Sequence, residues 1–245
     1  MYRPSDVGLL TAWERCHTAP HQASVPLSLL SAAYPDDVIE SLARLSIGQR
    51  DAHLLQLREH LFGSSIAGLS ECSSCGEVLE VSLDLATLRL PVAEITAEPI
   101  AIYAEEFELL IRLPNTLDLL AISSSTCTEA AQTQLLDRLV LSSTYRGAPI
   151  CTSDLPEDIV QLIDSSLNSA DPQANIQLNL VCVACDTVNE VLFDIGYLLW
   201  KEIDAWAIRL LRDIHELALA YGWNEAEITN MSSWRRRCYL EMLRA

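Results

Sequence analysis

Apolar residues recur every three or four positions over most of this 245-residue chain, and short stretches of strict alternation interrupt them. Ser5 is placed to cap a first helix through Val7, Leu10 and Trp13. Val25-Pro26 is expected to break the chain ahead of an apolar stretch over 27–33. Pro35-Asp36-Asp37 is expected to open another helix with acids at its positive end. Ser46 caps the next one, in which Leu54, Leu55, Leu57 and Leu61 recur at helical spacing and Gly63 stands ready to stop it. Residues 1–64 therefore read as a helical region.

Alternation over 78–85 predicts a strand, and Pro91 closes that region. Residues 92–180 read as an insertion. It holds strand-like segments over 95–102 and 107–113, then a helix starting near Leu117 with Asn115 or Thr116 as its cap. Further helices are expected over 129–141 and 157–167, with loop over 142–156, a turn at 169–172 and a strand over 176–181. The strongest helical signal comes last. Leu199, Ile203, Trp206, Leu210, Ile214, Leu217 and Tyr221 are spaced three or four apart over 197–221, and Arg209/Asp213 and Arg212/Glu216 are set four apart on the other side. Gly222 ends this helix. A short helix over 225–231 and a last one capped by Ser232 or Ser233 complete a helical hairpin.

Two Cys-x-x-Cys pairs stand out against this pattern. Cys72 and Cys75 precede Val78, Glu80, Val81, Leu83 and Asp84; Cys182 and Cys185 precede Val188, Glu190, Val191, Phe193 and Asp194 in the same register. A two-residue gap lets both sulfurs of a turn face one ion about 2.3 Å away, and two such knuckles supply the four thiolates of a closed structural zinc site. Gly76 and Asp186 follow the pairs, where a left-handed backbone is often needed. The alternative is four buried thiols without metal. Redox chemistry fits poorly, because reactive pairs open helices, whose positive end lowers the thiol pKa, and here strand sequence follows. Catalytic zinc keeps an open position, and four cysteines leave none. His60 falls on a predicted helix and is read as a packing or surface residue.

Composition narrows the function. Hydrophobic residues are 50% of the chain and charged ones 20%, a globular balance. The net charge of −18 argues against binding phosphate backbones or anionic lipid. There is no run of about 18 apolar residues and no secretory leader pattern, so neither a membrane span nor secretion is expected. Eight cysteines without a leader point to a reducing, cytoplasmic setting and to metal rather than disulfides. Cys16, Cys127, Cys151 and Cys238 are isolated and are expected to be buried as small apolar residues. Trp206, Tyr221, Trp223, Trp234 and Tyr239 are expected mainly in the core, with some left as interface anchors. Arg235, Arg236 and Arg237 raise a nucleic-acid alternative, since their hairpin resembles a helix-turn-helix; the competing reading is pairing with acids. No phosphate loop, nucleophile elbow or metalloprotease helix is present, and no active site emerges.

Three segments resemble a known family. They are residues 45–63 (Leu-Ser-Ile-Gly-Gln-Arg-Asp-Ala-His-Leu-Leu-Gln-Leu-Arg-Glu-His-Leu-Phe-Gly), residues 107–120 with Arg112-Leu-Pro-Asn-Thr-Leu-Asp-Leu119, and the end of the chain. That end carries Trp206, Ile208, Arg209, Asp213, His215, Tyr221-Gly-Trp223 and Arg235-Arg-Arg-Cys-Tyr-Leu240. Together they resemble the baseplate hub and assembly proteins of T-even-like phages and of phage-tail-like contractile injection systems. Family knuckles more often read Cys-Pro-x-Cys-Gly; here Ser73 and Val183 replace the proline and Asp186 the second glycine. The resemblance implies a non-enzymatic structural subunit near the hub or wedge. It also implies several copies per particle and partners among the other baseplate subunits.

The expected fold is α+β and mostly helical: a split four-cysteine zinc ribbon with an inserted α/β subdomain and a C-terminal helical hairpin. The divisions are 1–64 (helical), 65–91 (first knuckle and strand), 92–180 (insertion), 181–196 (second knuckle and strand) and 197–245 (C-terminal helices). Structural zinc on Cys72, Cys75, Cys182 and Cys185 is the only cofactor expected. The rival functions are an acidic assembly chaperone absent from the finished particle, a zinc-ribbon nucleic-acid adaptor, and a dithiol oxidoreductase.

Overall fold

The computed structural model describes residues 2–19, 21–89, 99–125 and 127–244. Within them the chain is mixed α/β and 57% helical. Ser5 caps α1 (Asp6–His17), its hydroxyl accepting the Gly8 N–H at 3.2 Å. Val7 lies outside the buried stripe, which is Leu9, Leu10, Ala12 and Cys16. Pro26 does not break the chain as expected. It sits in the first turn of α2 (Val25–Ala33), where a missing N–H goes unused. Pro35-Asp36-Asp37 likewise forms a turn rather than a helix start, and the short α3 (Ile39–Ala43) follows Val38. α4 (Ile47–Phe62) carries a full capping box between Ser46 and Gln49, and Gly63 ends it at φ 91°.

β1 (Ser65–Glu71) and β2 (Val78–Asp84) form an antiparallel hairpin, followed by the single turn α5 (Leu85–Leu88). β1 escaped the sequence pattern because Gly68 and small polar residues blur its alternation. The expected boundary at Pro91 and the start of the 95–102 strand lie outside the described residues. From residue 99 a four-stranded antiparallel sheet runs β3 (Ile100–Ala104), β4 (Phe107–Ile111), β5 (Val140–Tyr145), β6 (Ala148–Pro149), in that spatial order. Between β4 and β5 lie α6 (Thr116–Ile122), capped by Asn115, and α7 (Thr128–Leu139). The expected loop over 142–156 is therefore partly sheet. α7 stops at Leu139, whose carbonyl takes the Arg112 N–H, and Val140 swings into pairing with β4. α8 (Glu157–Ala170) then covers the sheet.

β7 (Gln177–Val181) and β8 (Val188–Leu192) make the second hairpin, and α9 (Ile195–Tyr221) leaves it directly. Gly222 terminates α9 in the left-handed region at φ 71°. α10 (Glu225–Thr229) and α11 (Ser233–Arg244) fold back along α9. None of the described helices is long and apolar enough to cross a membrane.

The buried residues fall into separate clusters. The largest packs α1 to α4 against the first half of α9, around Leu29, Leu30, Leu54, Leu57, Leu199 and Ile203. A second joins Leu10 to the far half of α9, Ile228 and Leu240. A third lies wholly between the sheet and α8, around Phe107, Leu109, Ile111, Ile159 and Ile163. Polar anchors reinforce individual parts of this arrangement. Arg58, almost fully buried, donates to both Glu202 carboxylate oxygens at 2.9 and 2.7 Å and to the carbonyls of Gly63 and Ser65. Asp118, fully buried at the start of α6, takes Arg112 and Arg138.

Several individual expectations need correction. Cys16 is buried, but Cys127 and Cys151 are exposed, because both stand on surface turns that lead into helices. Trp234 is 73% exposed and does not enter the core. Arg212 and Glu216 do not pair along α9; Glu216 instead takes Arg244 from α11.

Candidate metal centre

Each Cys-x-x-Cys pair forms the tip of one hairpin, and the two tips share one backbone design. In the first, the Cys72 N–H donates to the Glu77 carbonyl and the Gly76 N–H to the Cys72 carbonyl, both at 2.9 Å. In the second, Cys182 N–H to Thr187 carbonyl and Asp186 N–H to Cys182 carbonyl repeat those bonds at the same 2.9 Å. The residue after each pair is left-handed: Gly76 at φ 76° and Asp186 at φ 57°. Strand registers match as well, Ser70 opposite Leu79 in one and Leu180 opposite Asn189 in the other. The repeat ends on a shared cap. Asp84 accepts the Ala86 N–H at the start of α5, and Asp194 accepts the Tyr197 N–H at the start of α9.

The fold brings these tips together. The ligand-capable atoms of Cys72, Cys75, Cys182 and Cys185 all lie within 4.8 Å of one another. Cys72 Sγ is 3.7 Å from Cys185 Sγ, and Cys75 Sγ is 3.6 Å from Cys182 Sγ. Sulfurs bonded to each other would stand at about 2.05 Å. A tetrahedron of sulfurs at about 2.3 Å from a central ion has edges of about 3.8 Å. The donor set and its spacing therefore fit a four-coordinate metal and do not describe disulfides. Cys72 and Cys182 are buried while Cys75 and Cys185 are exposed, so the cluster sits at the surface with two of its sulfurs covered.

Electrostatics favour thiolate at part of the cluster. Backbone N–H groups of Cys75 and Ser74 pull the Cys72 thiol down to about 6, with Asn189 helping. The Thr187 hydroxyl and N–H hold Cys185 below the usual thiol value. At Cys75 the Glu77 N–H acts downward, but hydrogen bonding to Cys185, burial and the other sulfurs push the thiol up to about 12. The upward push at Cys75 is the direction expected where sulfurs crowd together.

Asn189 is the residue beside the cluster that sequence reading missed. It is buried, and its carboxamide oxygen accepts both the N–H and the hydroxyl of Ser73 at 2.9 and 2.8 Å. Its NH2 donates to Cys72 Sγ at 3.6 Å and to the Thr187 carbonyl at 3.1 Å. In the matched register Asn189 stands where the first hairpin has Leu79. That mismatch was the available signal, an asparagine at an inward apolar position.

Other sequence candidates do not join this centre. His60 stays on α4, and the only group of described residues able to hold an ion contains no histidine. Of the arginine run, Arg236 is buried and donates to Asp6 and to the Met231 carbonyl, which leaves Arg235 and Arg237 facing outward.

The chain is thus a mixed α/β protein whose two repeated hairpins converge on a four-thiol cluster, with a sheet-bearing segment between them. A family model described as T4 bacteriophage base plate protein matches residues 9–200, which takes in both hairpins and all four cysteines. The chain belongs to that family. No curated protein and no solved structure matches it.

Proposed function

We propose that this protein is a structural subunit of a contractile tail or injection-particle baseplate, in which zinc bound by Cys72, Cys75, Cys182 and Cys185 clamps the two hairpins. The membership of a baseplate family supports the structural role. The observation that carries the clamp is that the four sulfurs converge where little apolar surface is buried. Among the described residues the hydrophobic cluster at the cysteines is Cys72, Leu79 and Cys182, with Leu180 partly covered, and the buried Asn189 adds hydrogen bonds across the tips. So small a cluster contributes a few kcal/mol at most by apolar burial. A structural zinc contributes on the order of 10–16 kcal/mol of binding free energy that becomes folding free energy.

The same reading divides the chain at 1–64, 65–91, 92–180, 181–196 and 197–245. The separate core under the four-stranded sheet supports treating the insertion as a subdomain. The clamp then fixes where that subdomain leaves and rejoins the helical body. The protein has no catalytic step in this account; it positions surfaces for neighbouring subunits.

Two measurements test it. Metal analysis of the purified protein is expected to give one zinc per chain, lost in Cys182→Ser. Mass spectrometry of purified particles is expected to find the chain as a stoichiometric component. A chain absent from finished particles is instead an assembly factor, and a metal-free wild-type protein with unchanged melting removes the clamp.

A further inference from the structure

α11 does not lie flush on α9. Between them runs a groove of about 720 Å³, floored by Trp206, Leu210 and Leu240. Its walls hold five arginines, at 209, 212, 236, 237 and 244, against three carboxylates, at 213, 216 and 241. In a chain of net charge −18 this excess of cations is a local reversal of sign. Two of the five are committed within the fold: Arg236 to Asp6, and Arg244 to Glu216 at 3.1 Å. Arg209, Arg212 and Arg237 are exposed and have no ion-pair partner among the described residues.

The wall continues onto an apolar strip of α9. Ile208 and Leu211 are exposed there, and Arg212 and Glu216 border both the strip and the groove. The groove is also partly shielded from water: burial pushes the Asp213 carboxyl up even though Arg236 pulls it down. Charges brought into such a place are screened less than on open surface.

We propose that this groove docks an acidic amphipathic segment of another protein subunit, whose carboxylates pair with Arg209, Arg212 and Arg237 and whose apolar residues cover Ile208 and Leu211. Guanidinium forks match carboxylates in bidentate geometry. An apolar floor and strip call for side chains that a phosphate backbone does not carry, and the surrounding negative charge repels polyphosphate. The groove lies beyond the matched residues 9–200, on a part of the chain separate from the cysteine clamp. The inference rests on the reading of this protein as an assembly subunit.

The test uses the full chain in cells that make the particle, with benzoylphenylalanine replacing Ile208. Irradiation is expected to join it to one other subunit, at a peptide with more acids than bases and with apolar residues between them. That peptide, synthesised and titrated against the purified full-length protein, is expected to bind roughly tenfold or more weakly to the R209E/R212E/R237E variant. Raising NaCl from about 50 to about 500 mM is expected to weaken it similarly, and a peptide with lysines in place of its acids is expected to recover binding to the variant. Because Arg209 also attracts Asp213 and new glutamates would crowd the groove's own acids, R209Q/R212Q/R237Q serves as the second variant and is expected to weaken the peptide in the same direction with a melting temperature near that of wild type. Crosslinks to a neutral or basic peptide, to nucleic acid or to a second copy of this chain overturn the proposal, as does unchanged affinity of the variant. A chain present in particles without any crosslink at 208 defeats the groove alone. A chain absent from particles defeats the subunit reading, and the groove falls with it.

Discussion

Asn189 on one hairpin and Ser73 on the other, 116 residues apart in sequence, are joined twice: the carboxamide oxygen accepts the Ser73 N–H at 2.9 Å and its hydroxyl at 2.8 Å. The same side chain donates to Cys72 Sγ. Asn189 therefore links the two cysteine tips without being one of the four thiols. Groups that orient metal ligands in this way typically carry 10–100-fold in metal affinity. Asn189→Ala is expected to weaken zinc binding by about that factor in a competition titration with a chromogenic chelator. Unchanged affinity would show that Asn189 only fills space.

On the proposed zinc clamp, stripping the metal is expected to act locally first. The hairpins are mostly exposed along their strands, whereas α4 and α9 share the largest buried cluster. A strong chelator, or Cys182→Ser, is expected to raise amide exchange across residues 65–84 and 177–192 while the middle of α9 stays protected. Hairpin protection that survives chelation would remove the clamp from the account.

Gly48 faces the Asp171 carboxylate. Its N–H donates to Asp171 Oδ2 at 2.9 Å, and a β-carbon at position 48 would overlap that carboxylate. The acid thus seats itself on the positive end of α4 and fixes the segment that leads from α8 into the second hairpin. Gly48→Ala is expected to cost about 2–3 kcal/mol in urea unfolding, from overpacking and the lost bond. A change within about 0.5 kcal/mol would mean that the segment moves aside freely.

Arg58 joins α4, α9 and the start of β1 through four hydrogen bonds. Arg58→Ala strands Glu202 and two carbonyls, and is expected to lose about 3–5 kcal/mol. Arg58→Lys is expected to recover little of it, because one ammonium cannot span the bidentate carboxylate and both carbonyls. Equal stability of Lys and Arg at this position, by thermal or urea melts, would count against that geometry.

Asp51 gives a pH dependence of unusual sign. Burial pushes its carboxyl up to about 6 from 3.8, against the opposing pull of Arg50 at 2.8 Å. Between those values the folded chain holds a proton that the unfolded chain has released. The stabilisation is fully present below the unfolded value and is lost as pH rises through about 6. Wild type is therefore expected to gain about 1 kcal/mol relative to Asp51→Asn on going from pH 7 to pH 5. Parallel pH profiles of the two proteins would exclude this role for Asp51.

The sequence by itself determined much of the local structure and singled out the four cysteines that the fold brings together. Ser5, Ser46 and Asn115 cap the helices that their positions predict, and Gly63 and Gly222 end α4 and α9, because capping and positive-φ termini are decided by one residue and its neighbours. The two cysteine pairs were legible for the same reason, since a knuckle is a short turn with fixed spacing. Tertiary structure decided what depended on distant partners. β5 is sheet only because β4 lies beside it, and β1 only because β2 completes its hairpin. Arg236 became a buried anchor because Asp6 reaches it across 230 residues, and Asn189 bonds Ser73 because the second hairpin folds onto the first. Charge and hydrogen-bonding capacity are properties of a residue, but whether they are spent on the fold or left at the surface is set by which segments pack together.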